Sequence, residues 1–429
     1  MKTLKSTAII GFSLTIAAPA LSLNGLRPIA TTAETRAMGG TGVATPSTSY
    51  AAVYKNPSLL PFINQAPDSF DLTIGLGMGS FKSRAKGNRG RYTSDWLEPE
   101  GGGTAVFPSG IGAGYHYDQS LSFGFGTFGG GGGADYGDAD PVLGARSEVV
   151  AFSGVLASGL KLSDKFSLGM ALWATAVTID ASSLSWTGNG MRNDTGGEAL
   201  TYGVSLGSTY QVDPQLTIGT YLQPPQTAVI KDGRDYAEEE GRPFGDPDDV
   251  LFTGVPFEAA IGFHYHATPS LEVATDLRFL RWSEAEFLRQ LGWEDQATIA
   301  IGLAYGLDPQ KTNILRIGYN YGNAPAQSVA QEEGQDRIAL QGHPFPKVAA
   351  SAISGISAFG TTQHHVTLGS SHVLSDRMSL DTSLTHMVKS SITRNGDSYN
   401  ISKDPPTDPY GWTGEFEATL IQTELNILF

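Results

Sequence analysis

Residues 69–79 read SFDLTIGLGMG. Phe70, Leu72, Ile74, Leu76 and Met78 share one face of an extended chain, and Ser69, Asp71, Thr73, Gly75, Gly77 and Gly79 share the other. A strict period of two fits a β-strand with one apolar face and not a helix, whose period is 3.6. The pattern recurs. Leu200, Tyr202, Val204, Leu206, Tyr210 and Val212 oppose Thr201, Gly203, Ser205, Gly207, Thr209 and Gln211, and Ala297, Ile299, Ile301, Leu303 and Tyr305 oppose Thr298, Ala300, Gly302 and Ala304. Fourteen such segments are expected, at about 69–79, 110–118, 120–128, 148–162, 165–178, 199–212, 215–223, 254–266, 270–280, 296–307, 313–321, 363–374, 377–388 and 415–429. His364 and His372 fall on the apolar face of the segment 363–374, which leaves its register open.

Six connections are short turns, at Asp118-Gln119, Ser163-Asp164, Asp213-Pro214, Thr268-Pro269, Asp308-Pro309 and Ser375-Asp376. Seven are long, at 80–109, 129–147, 179–198, 224–253, 281–295, 322–362 and 389–414, and short and long alternate without exception. A transmembrane barrel segregates its connections in this way, with tight turns on one side and long loops on the other, whereas a soluble sandwich has no reason to. In hydrocarbon every backbone N–H and C=O must be paired, and a closed sheet has no free edge. The expected fold class is therefore all-β, a 14-stranded antiparallel transmembrane β-barrel. Outward residues beside the short turns are aromatic (Tyr117, Phe166, Tyr210, Tyr265, Tyr305 and Phe429), and Phe279, Tyr319 and Tyr321 lie at the far end. Aromatic girdles at the two membrane interfaces account for both sets.

The composition agrees. The chain has 429 residues with 53 Gly and no Cys, charged residues make up 17%, and the net charge is −15. The absence of Cys excludes disulfide scaffolds, Cys-ligated metal centres and thiol enzymes. The acidic balance argues against nucleic acid as a partner. Lys2 and Lys5, the apolar run from Ala8 to Ala18 and the Ala18-Pro19-Ala20 pattern form an export signal over 1–20. Its apolar run is too short to span a bilayer as a helix.

Residues 21–68 lack sustained alternation and precede the first strand. Gly39, Gly40 and Gly42 suit tight turns, and Asn56-Pro57 suits the cap and first position of a short helix. A barrel of fourteen strands is wide enough to hold such a segment, so 21–68 is expected to plug the lumen of a barrel built from 69–429.

At these residues a resemblance emerges. Arg36-Ala37-Met38-Gly39-Gly40-Thr41-Gly42-Val43-Ala44 followed by Asn56-Pro57 resembles the N-terminal hatch of the FadL/TodX (OmpP1) family of outer-membrane transporters of long-chain fatty acids and hydrocarbons. Residues 161–169, Val255-Pro256, Asp276 with Trp282-Ser283, and the terminal Phe429 are similar too, while Asn56-Pro57-Ser58 departs from the family's usual Asn-Pro-Ala. The resemblance implies passive uptake. A hydrophobic ligand is captured among the extracellular loops, passes to a site beside the hatch, and leaves sideways into the outer membrane at a kinked third strand when the hatch moves. Phe429, as the strand-ending aromatic, implies recognition by the barrel-assembly machinery.

Candidate residues follow. Gly124, Gly126, Gly129 and Gly130 are candidates for the lateral kink, because the run Gly129–Gly133 can bend a strand and leave ladder groups unpaired, or can form a loop tip. The GxGxxG match at 124–129 is not a nucleotide motif, since no helix follows it. Phe128, Trp173, Val177 and Ile179 point inward by parity; they pack on the plug or line an apolar path. Phe244 and Phe252 in one loop, with Phe287 and Leu288 in another, are candidates for the capture groove, and Ser283-Glu284-Ala285-Glu286 reads as a capping box. Arg234, Arg242 or Arg281 could meet a ligand carboxylate. The pairs His264/His266 and His364/His365 show no complete ligand set, so no metal and no cofactor are expected. The expected partners are a hydrophobic small molecule, outer-membrane lipid and lipopolysaccharide, with the chain a monomer. The alternatives are a general porin, a structural or adhesive barrel and, further off, a lipid hydrolase; Ser371 and His365 share a face but lie about 20 Å apart along one strand.

Overall fold

A computed structural model describes residues 23–63, 66–89, 92–93, 96–98, 103–135, 145–184, 192–236, 248–326, 337–340, 343–346, 362–396 and 410–429. The export signal, Phe244 and Arg242 lie outside the described residues.

The alternating segments form one closed antiparallel barrel. Its strands are β1 (Ser69–Arg89), β2 (Gly103–His116), β3 (Leu121–Asp135), β4 (Ala145–Ser163), β5 (Phe166–Leu184) and β6 (Arg192–Gln211), then β7 in two pieces (Leu216–Gln223 and Gln226–Tyr236) and β8 in two pieces (Asp248–Val255 and Phe257–Thr268). They continue as β9 (Leu271–Arg281), β10 (Gln296–Gly306), β11 (Asn313–Gly322), β12 (His364–Ser375), β13 (Met378–Gly396) and β14 (Tyr410–Leu428). The cylinder closes where β14 pairs β1, from Leu428↔Asp71 up to Tyr410↔Arg89.

Several strands run well past the alternating segments. β1 has 21 residues, although a tilted strand needs only about 9–11 to cross hydrocarbon. From Lys82 onward it is polar on both faces, because above the bilayer only the ladder has to be satisfied. For the same reason parts of the expected long loops are strand. The connection 224–253 holds the outer halves of β7 and β8, paired from Gln226↔Val255 to Arg234↔Asp248. Pro224-Pro225 and Pro256, which lack an N–H to give the ladder, divide the two halves of this hairpin. The connection 281–295 holds a 3-10 turn (Trp282–Glu284) and a short helix α4 (Glu286–Gln290). The expected capping box does not form: Ala285 occupies the N-cap without a side-chain bond, and the Ser283 N–H donates to Asp295 at 3.0 Å.

Each short turn opens with Asp, Ser or Thr, whose oxygen captures N–H groups two or three residues on, as these side chains do in tight turns, except that Asp308 reaches Thr312 N and Asn313 N, four and five residues on. Asp118 accepts from Ser120 N and Leu121 N at 2.7 Å each. Asp213 accepts from Gln215 N and Leu216 N, Thr268 from Leu271 N, and Ser375 from Arg377 N.

The outer face is apolar. Ile74, Leu76, Leu156, Leu200, Ile301, Leu303, Ile317 and Leu368 are exposed on it. Near the turns, Tyr117, Tyr210, Tyr265, Tyr305 and Phe429 are exposed, and at the other end Phe279, Tyr319 and Tyr321. His364 settles the doubtful register: it joins the second ring, with its Nδ1 2.6 Å from the Tyr319 hydroxyl.

The leading segment occupies the inside. A two-residue hairpin (Leu23–Asn24, Arg27–Pro28) is followed by α1 (Ala33–Ala37), α2 (Ser49–Lys55), a 3-10 turn (Pro57–Leu59) and α3 (Leu60–Ile63). Helices this short do not persist alone. Here Thr32 caps α1, Thr48 caps α2, and Asn56 caps the 3-10 turn with Pro at its start. Gly39 and Gly40 take φ of +71° and +93°, which an L side chain rarely adopts. The wall then grips the segment all round. Arg36 donates to Gln422 on β14 at 2.7 Å, and Gly39 N to Thr367 on β12 at 3.0 Å. Gly42 N and Val43 N donate to Asp276 on β9 at 2.9 and 3.0 Å. Asn56 donates to Ser208 O on β6, and Ser167 on β5 donates to Ser58 O. Met38 packs over Ala274 and Ala304. The fit is close: a Cβ on Gly318 would lie 2.0 Å from Gly39 N, and one on Gly169 would lie 2.2 Å from Ser58 N.

Candidate functional site

The barrel wall is interrupted between β2 and β3. β1 follows β2 from Ser69↔His116 to Phe81↔Gly103, shifting register at Gly75/Leu76. On the other side β3 follows β4 along its whole length, from Leu121↔Leu160 to Asp135↔Arg146. Between them, β2 and β3 pair only from His116↔Ser122 to Gly112↔Gly126. Beyond that point the facing edges, 103–111 and 127–135, share no register. Thr127 stands at the apex, its hydroxyl taking the place of a ladder partner for Ile111 N (3.2 Å) and Ile111 O (3.3 Å). Gly110 and Gly131 bend the two edges with φ of +140° and +134°. The run Gly129–Gly133 is thus no loop tip; it is strand, paired to β4 and unpaired toward β2. Of the glycines singled out from sequence, Gly129 and Gly130 lie on the gap, while Gly124 and Gly126 lie just below it, paired on both sides.

The leading segment backs this gap from inside. The Tyr50 hydroxyl reaches the carbonyl oxygens of both edges, Ser109 O at 3.1 Å and Thr127 O at 2.8 Å. With a single proton, it serves one at a time or shares it. Its ring lies in a slot that only glycine leaves open: a Cβ on Gly110 would sit 1.6 Å from the Tyr50 oxygen, and one on Gly112 would sit 2.2 Å from its ring. Phe128 stacks on Tyr50 with centroids 5.0 Å apart and planes 3° apart. Tyr54 and Trp173 extend the aromatic group, both about 6 Å or less from Phe128. Pro28 and the Leu26 carbonyl stand behind Gly130.

Above this lies a second apolar group. Val177, Ile179, Phe252, Phe287 and Leu288 come together there with Ile230, Trp282 and Trp293, and the cluster reaches Leu26 of the leading segment and Phe107 on the β2 edge of the gap. Phe252 meets Phe287 edge-on at 5.9 Å. The residues picked from sequence therefore divide. Phe128 and Trp173 pack on the plug segment, and the other five of those described join the upper cluster.

The electrostatics beside the aromatic group were not anticipated. Arg27 and Arg278 both pair with Glu258, at 3.2 and 2.6 Å. Arg27 also donates to Gln223 at 2.9 Å and lies over the Tyr54 ring at 5.3 Å. All three charged groups are buried, and Arg278 Nη1 has no hydrogen-bond partner. Two cations on one carboxylate leave a positive excess inside. Arg281, by contrast, is half-exposed and tied to Glu284 at 2.8 Å. The pairing escaped the sequence because Arg27 lies 231 positions from Glu258, and only the β8–β9 register sets Arg278 beside that carboxylate.

Below the plug segment charged groups gather among apolar ones such as Ile314, Val373 and Ile427. A cavity of about 450 Å³ is bordered by Glu34, Asp71, Lys311, Arg316, Arg377 and Asp381. Arg316 pairs with Glu34 at 2.7 Å, and Ser371 is held between Arg316 and Asp381. That hydroxyl donates to a carboxylate and accepts from a guanidinium, so no imidazole activates it.

The architecture defines a class: a fourteen-stranded barrel with its own leading segment inside and a β2–β3 seam whose pairing does not resume among the described residues; β6 and β7 also part, beyond Leu206↔Leu222, but pair again at Thr195↔Arg234. Solved structures share this fold. A Pseudomonas aeruginosa FadL homologue superposes with a TM-score of 0.71 at 12% identity, covering 94% of this chain and 99% of that one. The Pseudomonas putida toluene transporter TodX gives 0.61 at 16% identity, covering 92% and 97%, and the Ralstonia pickettii toluene transporter TbuX gives 0.59 at 17%, covering 90% and 96%. No protein-family model matches the sequence, and no curated protein matches it.

Proposed function

We propose that this chain is a FadL/TodX-type outer-membrane channel for passive uptake of hydrophobic small molecules, with 21–68 as its hatch and the β2–β3 seam as its lateral exit. The observation that carries the reading is the ladder that ends at Gly112↔Gly126 while β3 stays fully paired to β4. A strand edge left unpaired at membrane depth is costly, so a seam backed by a separate, polar-tethered segment is a built feature. The upper cluster offers an apolar way down to Leu26 and Phe107 at the seam. Straight passage would take an oily ligand past the charged groups that border the cavity beneath the hatch, Glu34, Arg316, Arg377 and Asp381, and desolvating charge against an apolar solute is costly. Lipopolysaccharide slows apolar solutes at the outer face, and a greasy path past it removes that barrier without an energy source.

The test is a tether. Val53 and Gly124 are in contact, a Cβ on Gly124 falling 2.4 Å from Val53 Cγ2, so oxidation of the pair Val53→Cys/Gly124→Cys, with the small shift that an added Cβ demands, ties α2 to β3. Oxidised cells are expected to lose uptake of labelled long-chain fatty acid, alkane and toluene alike, and to regain it on reduction. Uptake that is equal in both states contradicts the reading and favours a plain porin. The unmet Nη1 of Arg278, whose Glu258 partner is shared with Arg27, favours ligands with an acidic head; an Arg278→Met channel is expected to lose several-fold in fatty-acid uptake and little in alkane uptake.

A further inference from the structure

We propose that His264, His266 and Glu272 form a site for a first-row divalent transition metal, zinc foremost, at the turn end of β8 and β9. His264 and His266 are two residues apart on one strand, so their side chains share a face, while Tyr265 between them is exposed on the outer surface. The β8–β9 register sets Glu272 directly opposite His266 and Ala274 opposite His264. The carboxylate thus enters between two imidazoles. His264 Nε2 is 3.2 Å from Glu272 Oε2, and His266 Nδ1 is 3.7 Å from Oε1. The ring centroids are 4.6 Å apart, and one donor atom from each of the three residues lies within 4.8 Å of the others. Tetrahedral ligands about 2.0–2.1 Å from zinc stand roughly 3.3 Å apart, so the set closes on an ion with small side-chain rotations. Two imidazoles and a carboxylate suit zinc, nickel or copper far better than calcium or magnesium, and three protein ligands leave a position open.

In the metal-free arrangement Lys311 Nζ, 2.6 Å from Glu272 Oε1, supplies the positive charge. That side chain is about a third exposed and is free to swing out when an ion takes its place. The site lies two to four residues nearer the turn than Gly262↔Asp276, the pair from which Asp276 holds Gly42 and Val43. A bound ion therefore fastens the two strands that anchor the leading segment. The proposal does not depend on what the channel carries.

The experiment uses tag-free, chelator-stripped protein in detergent, titrated with zinc by calorimetry and with cobalt by visible absorption. One equivalent is expected, with the absorption of four-coordinate cobalt. His264→Ala and Glu272→Gln are expected to weaken binding at least tenfold, and His364→Ala/His372→Ala to leave it unchanged. Lys311→Met, which removes the competing cation, is expected to bind at least tenfold more tightly. Heat-modifiability on gels confirms that each variant is folded. No binding by wild type, binding undiminished in His264→Ala and Glu272→Gln, or no gain in Lys311→Met overturns the site and leaves an ordinary ion-pair network.

Discussion

At the scale of single residues, the account turns on Tyr50. Its hydroxyl is shared between the carbonyls of two strands that have stopped pairing, and its ring is held by Phe128 and a glycine-lined slot. Tyr50→Phe keeps the ring and removes the proton. One such bond contributes about 1 kcal/mol, so uptake of labelled ligand is expected to rise about three- to tenfold with heat-modifiability unchanged; an unaltered rate would show that the hydroxyl holds nothing closed. Gly110→Ala places a methyl on the Tyr50 oxygen and at a φ that disfavours any side chain, and is expected to open the seam more strongly than Tyr50→Phe. Asp276 is the opposite case. It accepts Gly42 N and Val43 N, and Asp276→Ala leaves two buried donors unmet at about 1–3 kcal/mol each. Protease sensitivity of the leading segment, with the barrel intact, is the readout expected to increase. None of these roles could be read from the sequence. Tyr50, Gly110 and Phe128 are 18 to 78 positions apart, and only the closed wall brings them together. The same holds for Glu272 and its two histidines, which sit on neighbouring strands: the His-x-His spacing was visible, but the carboxylate was not.

At the scale of elements, alternation located every barrel strand because hydrocarbon on one side and lumen on the other force a period of two. It lost the strand ends where that force stops. β1 beyond Lys82 is held by ladder bonds and by polar contacts such as Arg84 with Glu415, which impose no apolar period, and β3 through Gly129–Gly133 has no side chains to alternate. Pro224-Pro225 reads as loop and Pro256 falls within the expected strand 254–266, yet together they mark a break within a paired hairpin. The turns carry a pH prediction. Backbone N–H groups from Ser120 and Leu121 hold the Asp118 carboxyl below its ordinary range, and those of Thr312 and Asn313 do the same for Asp308. A depressed folded value means that the turn bonds contribute stability above the unfolded pKa of about 3.9, and lose it as the pH falls through the folded value. Carboxyl NMR titration is expected to show both groups ionising below about 3.9, with no change in turn stability between pH 5 and 8. A normal value for either would mean that the turn bonds do not persist in solution.

At the scale of the molecule, an oily exterior, an apolar upper cluster, charged groups toward the turns and a β2–β3 seam whose pairing does not resume among the described residues together make a route with a bend in it. A hydrophobic solute finds apolar contact from Phe252 and Phe287 down to Phe107 and Leu26. Below the hatch it meets Glu34, Arg316 and Asp381 instead. Lateral departure follows from this contrast as well as from the broken ladder. The most direct measurement is photolabelling in native outer membranes with an alkyl chain that carries a diazirine. The account predicts adducts along 107–111 and 127–131 and at Leu26, growing as Tyr50→Phe loosens the latch. Adducts confined to the cavity around Arg316 and Asp381 would contradict it, for the ligand would then be passing straight down the axis.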